Sequence, residues 1–271
     1  MSSYLLKGSF DLHITDYCNL HCKGCTVLDY LESGLITNEK NNLGDVTNII
    51  SNLQRHNLRL EQLVILGGEP TLHNQLGDII DFLKSTKVID KLAILTNGLN
   101  FTDSVVESLM KLDRIIISIY PFQNKKSLDK VIQQSELGLL ISSQIQVDYW
   151  LQNKFQKYGE GQPNISYSQE LNWERCYQKD SCRVITNDGL FRCAQVYNEK
   201  KEMCDWNDRE SIINYIEGDV PLEQCRVCPW PPKEMDWDSN DMPVDERNYL
   251  RGVELIQNCQ QKTLDFVKNY S

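Results

Sequence analysis

Cys18, Cys22 and Cys25 stand at the spacing C-x3-C-x2-C within the stretch Cys18-Asn19-Leu20-His21-Cys22-Lys23-Gly24-Cys25. Thiolate is the soft ligand that iron-sulfur clusters use, so three thiolates on one short loop can hold three irons of a cubane 4Fe-4S cluster. The fourth iron then lacks a local ligand, which suits a cluster that binds a substrate or cofactor rather than one that only passes an electron. Zinc is the competing reading. Its sites, however, are usually built from C-x2-C pairs and closed by four ligands, and a three-residue gap followed by a two-residue gap is not that pattern.

Six more cysteines, at 176, 182, 193, 204, 225 and 228, crowd the carboxyl-terminal third. The run Cys182 to Cys193 reads as a β-hairpin, because Asn187-Asp188-Gly189 is strong turn chemistry between two strand-like runs. Cys225-Arg226-Val227-Cys228-Pro229 is a C-x2-C pair. A hairpin cysteine and a later C-x2-C pair can converge into a four-thiolate site, holding either a second cluster or the single zinc of a ribbon. Cys204 and Cys259 remain, and free cysteine packs as a small hydrophobe. Cys204, on an irregular segment, is also a candidate hydrogen donor.

Composition narrows the class. The 271 residues carry a formal net charge of -10 and no lysine- or arginine-rich block, so there is no electrostatic footprint for nucleic acid or anionic lipid. No run of 18 apolar residues offers a membrane span, and the opening Met1 to Lys7 is too short and too polar onward for a signal peptide. A cytoplasmic protein is expected, whose ten cysteines serve metal or cluster ligation rather than a disulfide framework.

The elements that must position these residues follow from periodicity. Ser9 to Thr15 alternates Phe10, Leu12 and Ile14 with polar neighbours, so the cysteine loop leaves a strand's carboxyl end. Thr37 to Arg55 reads as a first helix, Val64 to Leu66 as a buried strand, and Asn74 to Leu83 as a second helix with Asn74 as its cap. A third strand at Leu92 to Leu95 follows. Next come a helix capped by Thr102 or Asp103 and running through Leu112, and a fourth strand at Arg114 to Ile119. A short helix at Ser127 to Ser135 and a fifth strand within Leu139 to Tyr149 complete the alternation. Strands alternating with helices predict a parallel α/β sheet, and five strands make at most a partial barrel. Such sheets bind ligands at the strands' carboxyl ends, where the cysteine loop, Gly67-Gly68-Glu69-Pro70, Thr96-Asn97-Gly98 and Ser118 all fall. Helical periodicity fades from Asn153 to Asp241, and Val244 to Tyr270 reads as one amphipathic helix. Glu69, in a strand-end loop among glycines and a proline, is an odd place for a purely structural carboxylate.

These motifs, in this order, resemble the radical S-adenosylmethionine (radical SAM) enzymes: C-x3-C-x2-C after the first strand, Gly-Gly-Glu-Pro after the second, Thr-Asn-Gly after the third. The chain departs from the pattern at Gly24, where the family usually places an aromatic residue near the adenine. The resemblance implies a partial (β/α) barrel over residues 1–152 whose Cys18, Cys22 and Cys25 hold a 4Fe-4S cluster. The open iron of that cluster chelates S-adenosylmethionine, while Gly67, Gly68, Glu69 and Pro70 engage its amino group, and Thr96, Asn97 and Ser118 are further cofactor contacts. Reductive cleavage of the cofactor, fed by a donor such as flavodoxin or ferredoxin, would give a 5'-deoxyadenosyl radical that abstracts a hydrogen atom from substrate. Residues 153–241 resemble the family's twitch appendage, the shorter relative of the SPASM form. A second 4Fe-4S cluster would sit there on Cys193, Cys225, Cys228 and either Cys176 or Cys182, with residues 242–271 as a terminal helix. An auxiliary cluster implies a two-electron oxidation of a small polar substrate, an alcohol of an amino sugar or cyclitol. Epimerisation of a sugar or peptide carbon, peptide maturation and a non-catalytic iron-sulfur or zinc module are the alternatives.

Overall fold

The computed structural model describes residues 3–20, 22, 25, 27, 41–120, 145–151, 155–157, 168–176, 179, 181–194, 202–228 and 233–235. The strand expected at Ser9 begins earlier. β1 runs Tyr4–Thr15, with a register irregularity between Leu6 and Ser9 that breaks the simple alternation of its first half. β2 (Leu58–Gly67), β3 (Ile89–Thr96), β4 (Arg114–Ile119) and β5 (Gln146–Leu151) then stack in parallel in the order β5-β4-β3-β2-β1. The sheet is open, as expected for a partial barrel.

Helices cover one face. α1 (Leu43–Arg55) turns Val46, Ile49, Ile50 and Leu53 inward. α2 (Leu76–Ser85) does the same with Leu76, Ile79, Ile80 and Leu83. These side chains meet Phe10, Leu12 and Ile14 of β1 and Leu63 and Ile65 of β2 in one core, and each fully buried aliphatic contributes about 1.5–3 kcal/mol. Helix starts differ from expectation in two places. α1 begins at Leu43 because Asn42 caps it through Gly44 and Asp45, in a reciprocal pair with the Asp45 carboxylate. Asn74 caps nothing, since α2 starts after Gln75, whose N–H is taken by His73 Nδ1 at 3.1 Å. α3 (Asp103–Leu109) is capped by Thr102, as the sequence suggests, but stops one turn short of Leu112. The expected helix at Ser127 to Ser135, the helix at Val244 to Tyr270, Gly24 and Cys259 lie outside the described residues.

The sheet continues past β1. β6 (Phe155–Lys157) pairs antiparallel with β10 (Lys233–Met235) in a small second sheet. By contrast, β7 (Arg183–Ile185) and β8 (Gly189–Phe191), the expected hairpin, add to β1, with β7 parallel to it through Phe10↔Arg183 and Asp11↔Val184. β9 (Cys204–Asp205) closes that side against β8. α4 (Gln169–Glu174) precedes the hairpin. The fading of helical periodicity after Asn153 is corrected by α5 (Arg209–Glu217), capped by Asp208, which packs Ile212, Ile213 and Ile216 onto the same core. Among the described residues no helix is long and apolar enough to cross a membrane.

Because Phe10, Leu12 and Ile14 face the helices, Asp11 and His13 face the other side, beside Val64 and Leu66 of β2. Asp11 is only 8% exposed, and it carries no hydrogen bond or ion pair among the described residues. Burial raises its carboxyl to about 7, and burial lowers His13 to about 4. Below its ordinary value of 3.8 the Asp11 carboxyl is protonated whether the chain is folded or not; above about 7 the folded chain must hold a buried charge. Its contribution therefore falls as pH rises between these limits, by at most about 4 kcal/mol. Asp11→Asn is expected to raise the urea midpoint at pH 8 and leave it nearly unchanged at pH 4. An equal change at both pH values would contradict this assignment.

Candidate active site

The carboxyl ends of β1 to β4 surround a cavity of about 370 Å³. Its wall includes Cys18, Cys22 and Cys25, Gly67, Gly68 and Glu69, Thr96 and Asn97, and Ser118 beside Tyr120. Of the first group of sequence-predicted residues only Pro70 stays out of the wall; it is the buried first residue of a 3-10 turn over Pro70–Leu72.

Two glycines bring the walls together. Gly67, with φ of +143°, ends β2 so close to β1 that a Cβ would lie 2.1 Å from the Thr15 carbonyl oxygen. A Cβ on Gly68 would meet the Tyr17 carbonyl oxygen at 2.4 Å. With no side chain in the way, Gly68 N–H donates to Thr15 O at 2.7 Å and Glu69 N–H to Tyr17 O at 2.8 Å. These bonds tie the exit of β2 to the segment entering the cysteine loop.

The carboxylate of Glu69, 1% exposed, ties the exit of β3 to the same place. Its Oε1 accepts from Thr71 N at 3.0 Å and from the hydroxyls of Thr71 and Thr96, both at 2.6 Å, while Oε2 accepts from Asn97 N at 2.7 Å. Burial pushes its pKa up against the pull of these donors, with burial the stronger. Thr96, expected to touch a ligand, spends its hydroxyl on Glu69. The Asn97 side-chain amide donates to Asn19 Oδ1 at 2.8 Å and reaches Cys18 Sγ at 3.9 Å, while Leu20 N–H also points at that sulfur from 3.4 Å. Asn19, which sequence reasoning passed over, is thus a partner of the cysteine loop. Ser118 hydrogen-bonds the Tyr120 phenol, which burial raises well above its usual range. Burial likewise pushes the Cys18 thiol up to about 11 and Cys22 to about 12, so a metal cluster bound there must displace protons.

A second cavity lies on the other flank of β1. Cys176, Cys182, Cys193, Cys225 and Cys228 all line it, together with Trp173, Lys179 and Arg192. The guanidinium of Arg192 lies 4.4 Å from the centroid of the Trp173 ring and the ammonium of Lys179 lies 5.4 Å from it. Five thiols meet here, where the sequence assigned four with one alternative. The Cys176 thiol lies close enough to act electrostatically on both Cys182 and Cys225. Cys204 lines neither cavity and packs from β9 against the helix-covered core. All nine described cysteines are free thiols.

Residues 12–134 match the family model described as the Radical SAM superfamily. They form a radical SAM domain. Curated relatives of this stretch include the GTP 3',8-cyclase of Clostridium perfringens, 24% identical over 156 residues, or 54% of this chain and 47% of that protein. The GTP 3',8-cyclase of Limosilactobacillus fermentum is 32% identical over 114 residues, 41% of this chain and 33% of that protein. The chain spans less than half the length of these relatives. Among solved structures, BtrN in complex with AdoMet and 2-DOIA superposes with a TM-score of 0.53 at 15% identity, covering 81% of this chain and 85% of that one. That likeness is one of fold.

Radical SAM domains use S-adenosylmethionine and a 4Fe-4S cluster, and the donor set fits both. Three thiols share one cavity with backbone and side-chain polar groups. Among the described residues, no three cysteine, histidine or carboxylate side chains close to the spacing of a single metal ion.

The Glu69 bonds generate a test. In Glu69→Gln one of the two oxygens becomes an NH2 group, and because Thr71 N–H and Asn97 N–H sit on different oxygens, one of them loses its acceptor. A cost of about 1–3 kcal/mol is expected, measured as a lowered denaturation midpoint, together with weakened S-adenosylmethionine binding. Unchanged stability and binding would mean that the bonds between the loops do not hold the site.

Proposed function

We propose that this chain oxidises an alcohol of a small polar substrate, an amino sugar or cyclitol, by radical SAM chemistry with two 4Fe-4S clusters. Cys18, Cys22 and Cys25 hold the first cluster, and Gly67, Gly68, Glu69, Thr96, Asn97 and Ser118 form the wall against which S-adenosylmethionine lies. Cys176, Cys193, Cys225 and Cys228 hold the second. The observation that carries this reading is the second thiol-lined cavity on the same sheet as the first.

Oxidising an alcohol to a carbonyl removes a hydrogen atom, a proton and an electron. When bound, the first cluster with its cofactor supplies the radical that takes the hydrogen atom, and the second supplies an electron acceptor. The protein's own residues orient the partners and exclude water. Lys179 and Arg192 favour an anionic cluster in the second cavity, since four thiolates leave such a centre negatively charged. Cys176 is preferred to Cys182 as fourth ligand because it faces both the hairpin and the C-x2-C pair. An external one-electron donor such as flavodoxin or ferredoxin completes the cycle. The cyclases named above match mainly over the radical SAM domain, so their own reaction is not carried over.

A second reading has its own observation. Five thiols around a four-thiolate site leave one over, and Cys182 would then return a hydrogen atom to a substrate carbon, giving an epimerase.

Anaerobic reconstitution tests the two-cluster assignment. About eight irons per chain are expected, falling to about four when Cys18, Cys22 and Cys25 are replaced together by alanine. Cys176→Ser is expected to fall to about four as well, and Cys182→Ser to keep about eight. About four irons in the unaltered chain, with zinc bound, would remove the second cluster and with it the oxidation.

A further inference from the structure

Strands flanked by neighbours on both sides in a parallel sheet are ordinarily apolar. β1 has β2 on one edge and β7 on the other, yet it carries Asp11 and His13 on the face away from the helices. Asp11 is the more demanding of the two. Its lateral neighbours are Val64 and Val184, both buried and apolar, and nothing among the described residues bonds to its carboxylate. A desolvated carboxylate without a partner is costly to keep, so it marks a place where a ligand supplies the missing donor.

Its position says which ligand. His13, two residues on, sits beside Leu66, and Leu66 lines the cavity of Cys18, Cys22 and Cys25. Asp11 therefore lies on the cavity's side of the sheet, about 7 Å along the strand beneath that neighbour. In the other direction its field reaches Cys182, which lines the second cavity. Asp11 lines neither cavity itself, but its strand position sets it on the face of the sheet that carries Leu66 of the first and within reach of Cys182 of the second.

We propose that Asp11 binds substrate, accepting a hydrogen bond from a hydroxyl or ammonium group and so fixing which carbon is presented to the radical site. This rests on the proposed function and deepens it. The carboxylate is short and its backbone is held on both edges, so it sets position closely. Burial leaves its affinity for a proton donor unscreened by water.

The test uses reconstituted holoenzyme, unaltered and as Asp11→Asn and Asp11→Ala. Iron content and the change in the electron paramagnetic resonance signal on adding S-adenosylmethionine report the clusters and the cofactor site. Stimulation of 5'-deoxyadenosine formation by glucosamine, 2-deoxystreptamine and myo-inositol reports substrate binding, the last distinguishing hydroxyl from ammonium recognition.

For at least one probe, Asp11→Asn is expected to lower kcat/KM ten- to hundredfold, as loss of a charged hydrogen-bond acceptor does, with iron content and the cofactor-induced signal retained. Stimulation equal in all three proteins overturns the proposal. So does the absence of stimulation by any probe, because hydroxyl and amine ligands are what it names. Loss of iron or of the cofactor signal in Asp11→Asn makes Asp11 structural and also overturns it. Failure of the unaltered protein to cleave S-adenosylmethionine at all overturns the proposed function instead.

Discussion

One buried carboxylate holds the active end of this sheet together. The loops after β1, β2 and β3 are far apart in sequence, and nothing in their own composition obliges them to converge. Glu69 supplies the obligation by taking four donors from two loops while its own N–H goes to the exit of β1. Burying an ionisable group is tolerable only when its hydrogen-bonding capacity is met. Both backbone donors would be stranded without it, so the carboxylate and the loop geometry sustain each other. Gly67 and Gly68 are the steric half of the same constraint, because any side chain there would push the loops apart.

β1 is the other point of dependence. It carries the first cysteine loop at its end, joins the hairpin with the second cysteine group along one edge, and lends its helix-covered face to the main core. The same strand turns Asp11 and His13 toward the opposite side. The two cysteine-lined cavities are therefore joined by backbone hydrogen bonds of a single sheet.

Much of this was legible in the sequence, and the exceptions have physical reasons. Arg114 to Ile119 is legible at its observed limits because a run of isoleucines interrupted only by Ser118 is bounded by Asp113 before it and Pro121 after Tyr120. β1 was read short because the irregularity after Leu6 hides the alternation before Ser9. α5 escaped notice because nine residues among cysteines and prolines give only a faint period, although Asp208 and the Ile212, Ile213 and Ile216 stripe were there to be seen. Among the site residues, cysteine spacing and the Gly-Gly-Glu-Pro stretch announced themselves. Asp11 did not, since in an alternating strand a polar residue reads as solvent-facing, and only the sheet order shows that both its edges are covered. Nor could sequence show that Thr96 and Asn97 act on Glu69 and the cysteine loop, because those bonds are made across strands.

The parallel pairing of β1 with β7 has a consequence for biosynthesis. Every residue lining the first cavity has been made once the chain reaches Tyr120, whereas the second is lined by residues from Asn172 to Cys228. On the ribosome, where amino-terminal segments fold first, β1 can dock on β2 while its far edge waits for a partner about 170 residues downstream. An unpaired edge is a template for unwanted strands. The nascent protein therefore passes through an interval in which its first cysteine site is complete, its second does not yet exist, and the strand serving both is open to aggregation. Chaperones and cluster-loading factors would meet that intermediate before they meet the finished fold.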